Sequence, residues 1–183
     1  AEDVNSYLAS SDFAAELASQ QATKLESAKT IRRVLVDERP TTFEDCIIWA
    51  RLKFEDLFAN QVKQLLHNFP EDQVTSSGTK FWSGSKRCPK ALLFDLDTKC
   101  EDAEMRNCFD FIVAAANLRA SMFGITGSTD EATFRETLKN VIVPDFAPQE
   151  GVKIAANDAE AKEQESAAAP VELDVDTEVA QIL

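Results

Sequence analysis

Apolar residues recur at helical spacing through the first 36 residues, which we interpret as two or three short helices. One apolar face there is formed by Leu25, Ala28, Ile31 and Leu35. Arg32 and Arg33 fall on the opposite, polar face. Pro40 closes this segment, because proline lacks the amide hydrogen that a continuing helix needs.

The strongest helix signal begins at Thr41. Thr41 and Glu44 have the spacing of a capping box, in which the two side chains satisfy free amide groups of the first helical turn. An apolar stripe follows, made of Phe43, Ile47, Ala50, Phe54, Leu57 and Phe58. It resumes after a weak point at Asn60 and stops at Pro70. Such a stripe is typical of a core face, so we predict buried helices here.

The stretch from residue 71 to 99 loses this periodicity. Gly/Ser clusters and Pro89 interrupt it, while Phe81 and Trp82 stand between them. These two aromatic residues either anchor the loop against the core, which we favour, or form an exposed binding platform. The sequence therefore predicts a long ordered loop.

Helical spacing returns after residue 108 and is predicted to end at Gly124, a C-terminal cap. A second capping box, Ser128 to Glu131, opens a helix through Phe134 and Leu138. The fold class is therefore mainly α: an irregular helical domain with long ordered loops. We assign residues 1–154 to this domain and residues 155–183 to an acidic, flexible linker or tail.

The net negative charge of the chain restricts the classes of molecule that it can bind. The formal net charge is -13, with eight Asp/Glu and one Lys between Asp158 and Leu183. Binding to nucleic acid or to an anionic membrane depends on Lys and Arg, so both are disfavoured. The glycines match no phosphate-binding pattern, and we expect no ATP site in the chain itself.

The four cysteines are Cys46, Cys88, Cys100 and Cys108, and no CxxC pair occurs. We therefore expect no metal site and no redox dithiol. No apolar signal segment or membrane span is visible, which favours an intracellular, reducing compartment. The start at Ala1 without methionine suggests a piece of a longer protein.

Cys88 has chemical potential, because Lys86 and Arg87 precede it and would favour a thiolate. No base can be assigned to it, so we interpret it as a structural thiol. His67 is expected to interact with the last carbonyl groups of its helix. The basic patch of Lys86, Arg87 and Lys90 either positions a carboxylate or an acidic partner surface, or is simply solvated.

Several ordered blocks resemble the second catalytic cysteine half-domain of eukaryotic ubiquitin-activating enzymes. They are Leu65-Leu66-His67-Asn68-Phe69-Pro70, Thr75-Ser76-Ser77-Gly78, Phe81-Trp82-Ser83-Gly84, Lys86-Arg87-Cys88-Pro89, Ala114-Ala115-Ala116-Asn117-Leu118, Gly124-Ile125-Thr126-Gly127-Ser128, Val143-Pro144-Asp145-Phe146-Ala147-Pro148 and Gly151-Val152-Lys153-Ile154. The resemblance covers residues 1–154, and the acidic tail is similar only as a linker.

The resemblance implies a parent enzyme that adenylates ubiquitin with ATP and magnesium and carries it as a cysteine thioester. A ubiquitin-conjugating enzyme then receives the ubiquitin. Other implied partners are the adenylation domains of the same chain, and the implied location is cytoplasmic and nuclear. Neither cofactor is expected in this part of the enzyme.

In the family, the nucleophile lies in a Pro-x-Cys-Thr segment upstream of the region that resembles Ala1, and this sequence contains no such segment. No catalytic residue is therefore assigned, and the isolated chain is expected to be inactive. The resemblance implies that this part of the enzyme builds the wall beside the thioester cysteine, and the loops 75–89 and 144–153 are our candidates for that wall. The wall candidates are Lys86, Arg87 and Asp145.

Three alternatives stay open at this stage, and one of them is a parent enzyme that activates a related modifier instead of ubiquitin. The chain could be a helical interaction module whose basic loop docks an acidic partner without thioester chemistry. Alternatively, Cys88 could itself be the acceptor thiol.

Overall fold

The computed structural model describes residues 2–13, 24–75, 77–96, 103–156 and 162. Its helices are α1 (Glu2–Ala9), α2 (Lys24–Arg32), α3 (Phe43–Phe54), α4 (Gln61–Asn68), α5 (Ala103–Met122) and α6 (Glu131–Lys139). Two π-helical segments, Arg33–Asp37 and Glu55–Asn60, continue α2 and α3. Within these described ranges, β pairing is limited to one antiparallel bridge between Val74 and Lys80. The prediction of a mainly helical fold is confirmed.

The chain divides into two compact units, one of Ala1–Arg39 with Ala155–Leu183 and one of Pro40–Ile154. In the first unit, Ala28 and Ile31 are buried as predicted. Phe13 is buried beside them, and Tyr7 meets its ring edge to face at 5.5 Å. The predicted tail lies almost wholly outside the described residues, so the domain boundary at residue 154 stays a prediction.

The second unit is built around α3, which packs mainly on α5 and also on α6. Its buried residues are Cys46, Ile47, Ala50, Phe54, Cys108, Phe109, Ile112, Ala116, Ala120, Phe134 and Leu138. Phe134 is fully buried and meets Phe43 edge to face at 5.6 Å. The apolar stripes of α3 and α5 therefore form one core, as the sequence pattern indicated. The prediction of a buried helix is wrong for α4, which continues the first stripe but contains no buried residue, because it lies at the edge of this core.

Both predicted capping boxes differ from the structure: the first is displaced by one residue, and the second is replaced by a single capping side chain. Helix α3 is capped by Thr42, not Thr41, and its partner is Asp45, not Glu44. The amide of Asp45 donates to Thr42 Oγ1 at 3.2 Å, and the Asp45 carboxylate accepts from the Thr42 amide at 2.9 Å. That carboxylate also accepts from the Thr41 amide at 2.9 Å. These backbone hydrogen bonds lower the pKa of Asp45, because they favour its charged form.

At α6 the capping residue is Asp130 instead of Ser128. Its carboxylate accepts hydrogen bonds from the Thr133 hydroxyl at 2.7 Å and from the Thr133 amide at 2.9 Å. These contacts lower the pKa of Asp130. The Asp130 carboxylate reaches the free amides of the first helical turn directly, so the Ser128 hydroxyl is not needed as the cap. Ser128 instead accepts from the Asp130 amide at 3.1 Å.

The weak point of the sequence at Asn60 is the end of the π-helical segment Glu55–Asn60. Glu55 is buried there and pairs with Arg51 and Lys63, each nitrogen–oxygen distance being 3.1 Å. A buried carboxylate is costly without such partners, so the two cations compensate for its burial. The segment carries the chain from the core helix α3 into α4.

The predicted end of α5 at Gly124 is confirmed. Gly124 has a φ of +68°, which glycine adopts without strain, and the Ile125 amide donates to the Ala120 carbonyl at 2.9 Å. The next turn is fastened by Asn117, whose amide nitrogen donates to the carbonyls of Val113 and Ser128, both at 2.8 Å. The turn between α5 and α6 is therefore held from the side by a helix residue.

Candidate functional site

The C-terminal end of α4 supports both loops that the sequence singled out. Gln64 lies in this helix and pairs reciprocally with the backbone of Gln149 in the second loop. Its amide nitrogen donates to the Gln149 carbonyl at 3.1 Å, and its amide oxygen accepts from the Gln149 amide at 2.9 Å. One side chain thus satisfies both polar groups of one loop residue.

Asn68, one helical turn later, continues this support. Its amide nitrogen donates to the Val152 carbonyl at 2.6 Å, and its oxygen accepts from Gln64 at 2.7 Å. The two side-chain amides therefore form a connected pair that holds the loop 144–153 at two points. Their spacing of four residues places them on one face of α4.

His67 contributes a third contact to the same loop. Its Nε2 atom lies 3.4 Å from the Glu150 carboxylate. The sequence predicts that His67 contacts the carbonyl groups at the end of its own helix. This prediction is wrong, because the loop 144–153 brings the Glu150 carboxylate to the ring, and His67 contacts that group instead.

The first loop, 75–89, is fixed where α4 ends. The Trp82 indole nitrogen donates to the carbonyls of Phe69 and Pro70, each at 3.1 Å. The Phe81 ring stacks on the Phe69 ring with 4.8 Å between centroids and an interplanar angle of 2°. Both aromatic residues are half-buried. Phe81 and Trp82 therefore anchor the loop, but to the residues that follow α4 and not to the core cluster, which includes neither of them.

The beginning of this loop is a tight turn. The Val74–Lys80 bridge encloses it, and the Thr75 amide donates to the Thr79 carbonyl at 2.8 Å. The hydroxyls of Thr75, Ser77 and Thr79 lie within 3.1 Å of one another. The segment is thus ordered by its own hydrogen bonds, as expected for a long loop without helical periodicity.

Lys86 and Arg87 lie on an exposed cleft of about 420 Å³, which we call the basic cleft. Its lining is Glu71, Lys80, Trp82, Ser83, Gly84, Lys86, Arg87 and Cys88. The Lys86 ammonium stands over the Phe81 ring at 4.5 Å from the centroid. This cation–π contact directs Lys86 along the anchored part of the loop.

Asp145 lines a different cavity of about 470 Å³, which we call the acidic cavity. Its lining is Leu52, Glu55, Asp56, Asn60, Gln61, Gln64, Val143, Pro144, Asp145, Phe146, Ala147 and Gln149. The three wall candidates therefore do not share one pocket. Lys86 and Arg87 belong to one cleft, Asp145 belongs to another, and both clefts are bordered by loops that contact the end of α4.

The cysteines differ in accessibility. Cys46 and Cys108 are buried, as predicted, and burial raises the pKa of the Cys46 thiol. Cys88 is half-buried in the basic cleft, with its sulfur 3.7 Å from the Pro89 carbonyl. The cleft is lined by no histidine. Cys100 lies outside the described residues.

The described ranges hold no helix long and apolar enough to cross a bilayer. They also contain no group of three or more His, Cys, Asp or Glu side chains placed to bind a metal ion.

Sequence reasoning missed Gln64 and Asn68, which do most to position the second loop. The available signal was a pair of amide residues four apart on a helix that had already been predicted. Nothing in that pattern identifies the partner, because Gln149 lies 85 residues away along the chain.

A family model and the sequences of individual relatives both relate this chain to ubiquitin-activating enzymes. The family model described as "Ubiquitin-activating enzyme, SCCH domain" matches residues 1–182, so the match continues past Ile154 into the acidic tail. The mouse protein named "Ubiquitin-like modifier-activating enzyme 1" is 44% identical over 161 residues, and the match covers 87% of this chain and 15% of the relative. The fission yeast protein named "Ubiquitin-activating enzyme E1 1" is 44% identical over 159 residues, with the same coverage. The chain spans 15% of the length of these relatives.

Proposed function

The chain belongs to the SCCH-domain family of ubiquitin-activating enzymes, and from this premise we propose that it scaffolds the thioester site of such an enzyme. The parent protein would adenylate ubiquitin and carry it as a cysteine thioester for transfer to a conjugating enzyme. ATP and magnesium would act in its adenylation domains, and the enzyme would work in the cytoplasm and nucleus. Identity of 44% to two named activating enzymes supports this assignment.

The observation that carries the scaffold role is the common support of the two loops. The loop 144–153 is hydrogen-bonded to Gln64 and Asn68, and Trp82 of the loop 75–89 is hydrogen-bonded to Phe69 and Pro70 just beyond the same helix. A rigid helix that fixes two loops can hold functional groups in a constant arrangement, which catalysis requires.

The two clefts offer complementary chemistry to a nearby thioester. Lys86 and Arg87 would favour a thiolate and the negative charge that develops on a carbonyl oxygen during acyl transfer. Asp145 would accept a proton or hold a cationic group. We propose these three residues as parts of a wall that different reacting groups approach, since they line separate cavities.

None of the described cysteines suits the role of acceptor. Cys46 and Cys108 are buried, and no histidine of the basic cleft is available to Cys88 as a base. The acceptor would be the cysteine of a Pro-x-Cys-Thr segment elsewhere in the parent. The isolated chain is then inactive. We also propose that residues 155–183 act as a linker.

A single-turnover thioester assay in the intact parent enzyme tests this function. We expect normal ubiquitin thioester in Cys88→Ala and none when the cysteine of the Pro-x-Cys-Thr segment is changed to alanine. Loss of thioester in Cys88→Ala, with adenylation and folding intact, would move the catalytic centre into the basic cleft. A parent without adenylating activity would leave the helical interaction module as the function.

A further inference from the structure

Two cations of the basic cleft serve no visible purpose in the fold. Lys80 and Arg87 are exposed, and neither has an ion pair or hydrogen bond from its side chain among the residues that the structure describes. Lys139 on α6, in comparison, lies 3.5 Å from the Glu136 carboxylate. Other exposed cations, such as Arg39 and Arg106, also have no such partner among the described residues, so what distinguishes Lys80 and Arg87 is that they line one cleft together with Lys86.

The backbone that carries these cations is held firmly. The Ser83 hydroxyl donates to the Lys80 carbonyl at 2.8 Å, and the Lys86 amide donates to the Ser83 carbonyl at 3.1 Å. Gly84 lies in this turn with a φ of +63°, a conformation that favours glycine. Because the turn is ordered before any partner arrives, little conformational entropy remains to be lost on binding.

The cleft also offers apolar surface beside its charges. Trp82 lines it, whereas the Phe81 ring is not part of the lining and lies beneath the Lys86 ammonium, 4.5 Å from the ring centroid. An arginine can hold a carboxylate through two parallel hydrogen bonds, while a lysine supplies a point charge. This combination suits a carboxylate on a short aliphatic stem, as in aspartate and glutamate.

We propose that the basic cleft is the docking surface for a short acidic segment of a partner protein. This inference goes beyond the proposed function, because binding at the cleft is an equilibrium property of this chain and needs no thioester. A short segment is favoured over a long polyanion by the charge distribution. At about 0.1 M salt, charges interact over only about 10 Å, so the cations of the cleft attract only the few acidic residues that lie directly on it.

The test is equilibrium binding of a defined probe to the full 183-residue chain. A fluorescein-labelled decapeptide of alternating aspartate and glutamate is titrated at about 50 mM salt and followed by fluorescence anisotropy. We expect saturable binding that weakens as salt is raised, together with a shift of the Gly84 amide resonance. The matched decapeptide of asparagine and glutamine should not bind.

Variants locate the site. We expect Lys80→Ala and Arg87→Ala each to weaken binding about threefold to tenfold, and the double variant to weaken it further, since each removes one charge contact. Lys139→Ala, an exposed lysine on α6, is the matched control and should bind as the wild type does. Unchanged thermal unfolding of each variant shows that its fold is retained.

Several results with the peptides and the variants would overturn the proposal. They are absence of saturable binding to the wild-type chain, equal binding of the neutral decapeptide, and unchanged affinity in the Lys80→Ala, Arg87→Ala double variant. A single-stranded oligonucleotide of equal charge that binds as tightly would also overturn it, because the cleft would then accept any polyanion. The thioester assay described above is unaffected by these outcomes, so failure of one proposal is distinguishable from failure of the other.

Discussion

Gln64 pairs with Gln149 as one peptide group pairs with another in a β-sheet. Its side-chain amide donates to the Gln149 carbonyl at 3.1 Å and accepts from the Gln149 amide at 2.9 Å. The loop 144–153 thereby gains strand-like pairing without a neighbouring strand. Asp145 lies in the same loop, four residues before Gln149.

Replacing Gln64 by alanine should loosen the loop. Two hydrogen bonds to Gln149 and one to Asn68 are lost, and at about 0.5–1.5 kcal/mol each we expect a cost of about 1.5–4.5 kcal/mol in the free energy of unfolding. Denaturant unfolding measures the cost, and hydrogen exchange at the Gln149 amide measures the local opening. Gln61→Ala, on the same helix, is the control. Unchanged exchange at Gln149 would show that the loop is held by other contacts.

Trp82→Phe tests the anchor of the first loop. The variant keeps an aromatic ring but loses the indole hydrogen bonds to the Phe69 and Pro70 carbonyls. We expect trypsin to cleave after Lys80, Lys86 and Arg87 several times faster than in the wild type, because local opening becomes more frequent. Cleavage after Lys139 should not change. If the variant and the wild type are cleaved in this loop at the same rate, stacking of Phe81 on Phe69 alone secures the loop.

Gly127→Ala should be destabilising because of one neighbour. A Cβ atom at this position would collide with the Asn117 side-chain oxygen, and Asn117 is fixed by its bonds to Val113 and Ser128. We expect a loss of about 1–3 kcal/mol in unfolding free energy, typical of overpacking. In an Asn117→Ala background the same change should cost much less. An additive double-mutant cycle would argue against the clash.

The Asp45 cap predicts a pH dependence of stability. Hydrogen bonds from the Thr41 and Thr42 amides lower its pKa from the usual 3.8, so its contribution is complete above that value. The contribution is lost as pH falls through the lower, folded-state pKa. Asp45→Asn should therefore unfold more easily than the wild type near pH 6, and the gap should narrow towards pH 2. Thermal unfolding across this range is the measurement, and a constant gap would contradict the assignment.

How far the sequence predicts the structure depends on the range of each interaction. The stripe through Ile47 and Phe54 and the cap at Gly124 are local, and both were predicted. The first capping box was displaced because Thr41 and Thr42 are equally suitable hydroxyls and Glu44 and Asp45 equally suitable carboxylates. Local spacing does not distinguish between such neighbours.

The site itself was predicted only in part. The loops were identified, and Trp82 was correctly interpreted as an anchor. That Lys86 and Asp145 line separate cavities depends on how two distant loops meet α4, which no spacing in the sequence encodes. The amides of Gln64 and Asn68 were missed for the same reason.

The π-helical segment Glu55–Asn60 sets the angular phase between α3 and α4. An α-helix turns by about 100° per residue, and a π-helical turn holds an additional residue compared with an α-helical one. Removing one residue there would allow a continuous α-helix but would rotate Gln64 and Asn68 by about 100° about the axis, away from their loop. The extra residue therefore rotates the side chains of α4 about the helix axis relative to those of α3. As a result, the apolar side of α3 faces the core while Gln64 and Asn68 of α4 face the loop 144–153. A one-residue deletion in this segment would disconnect the second loop without altering any residue that touches it.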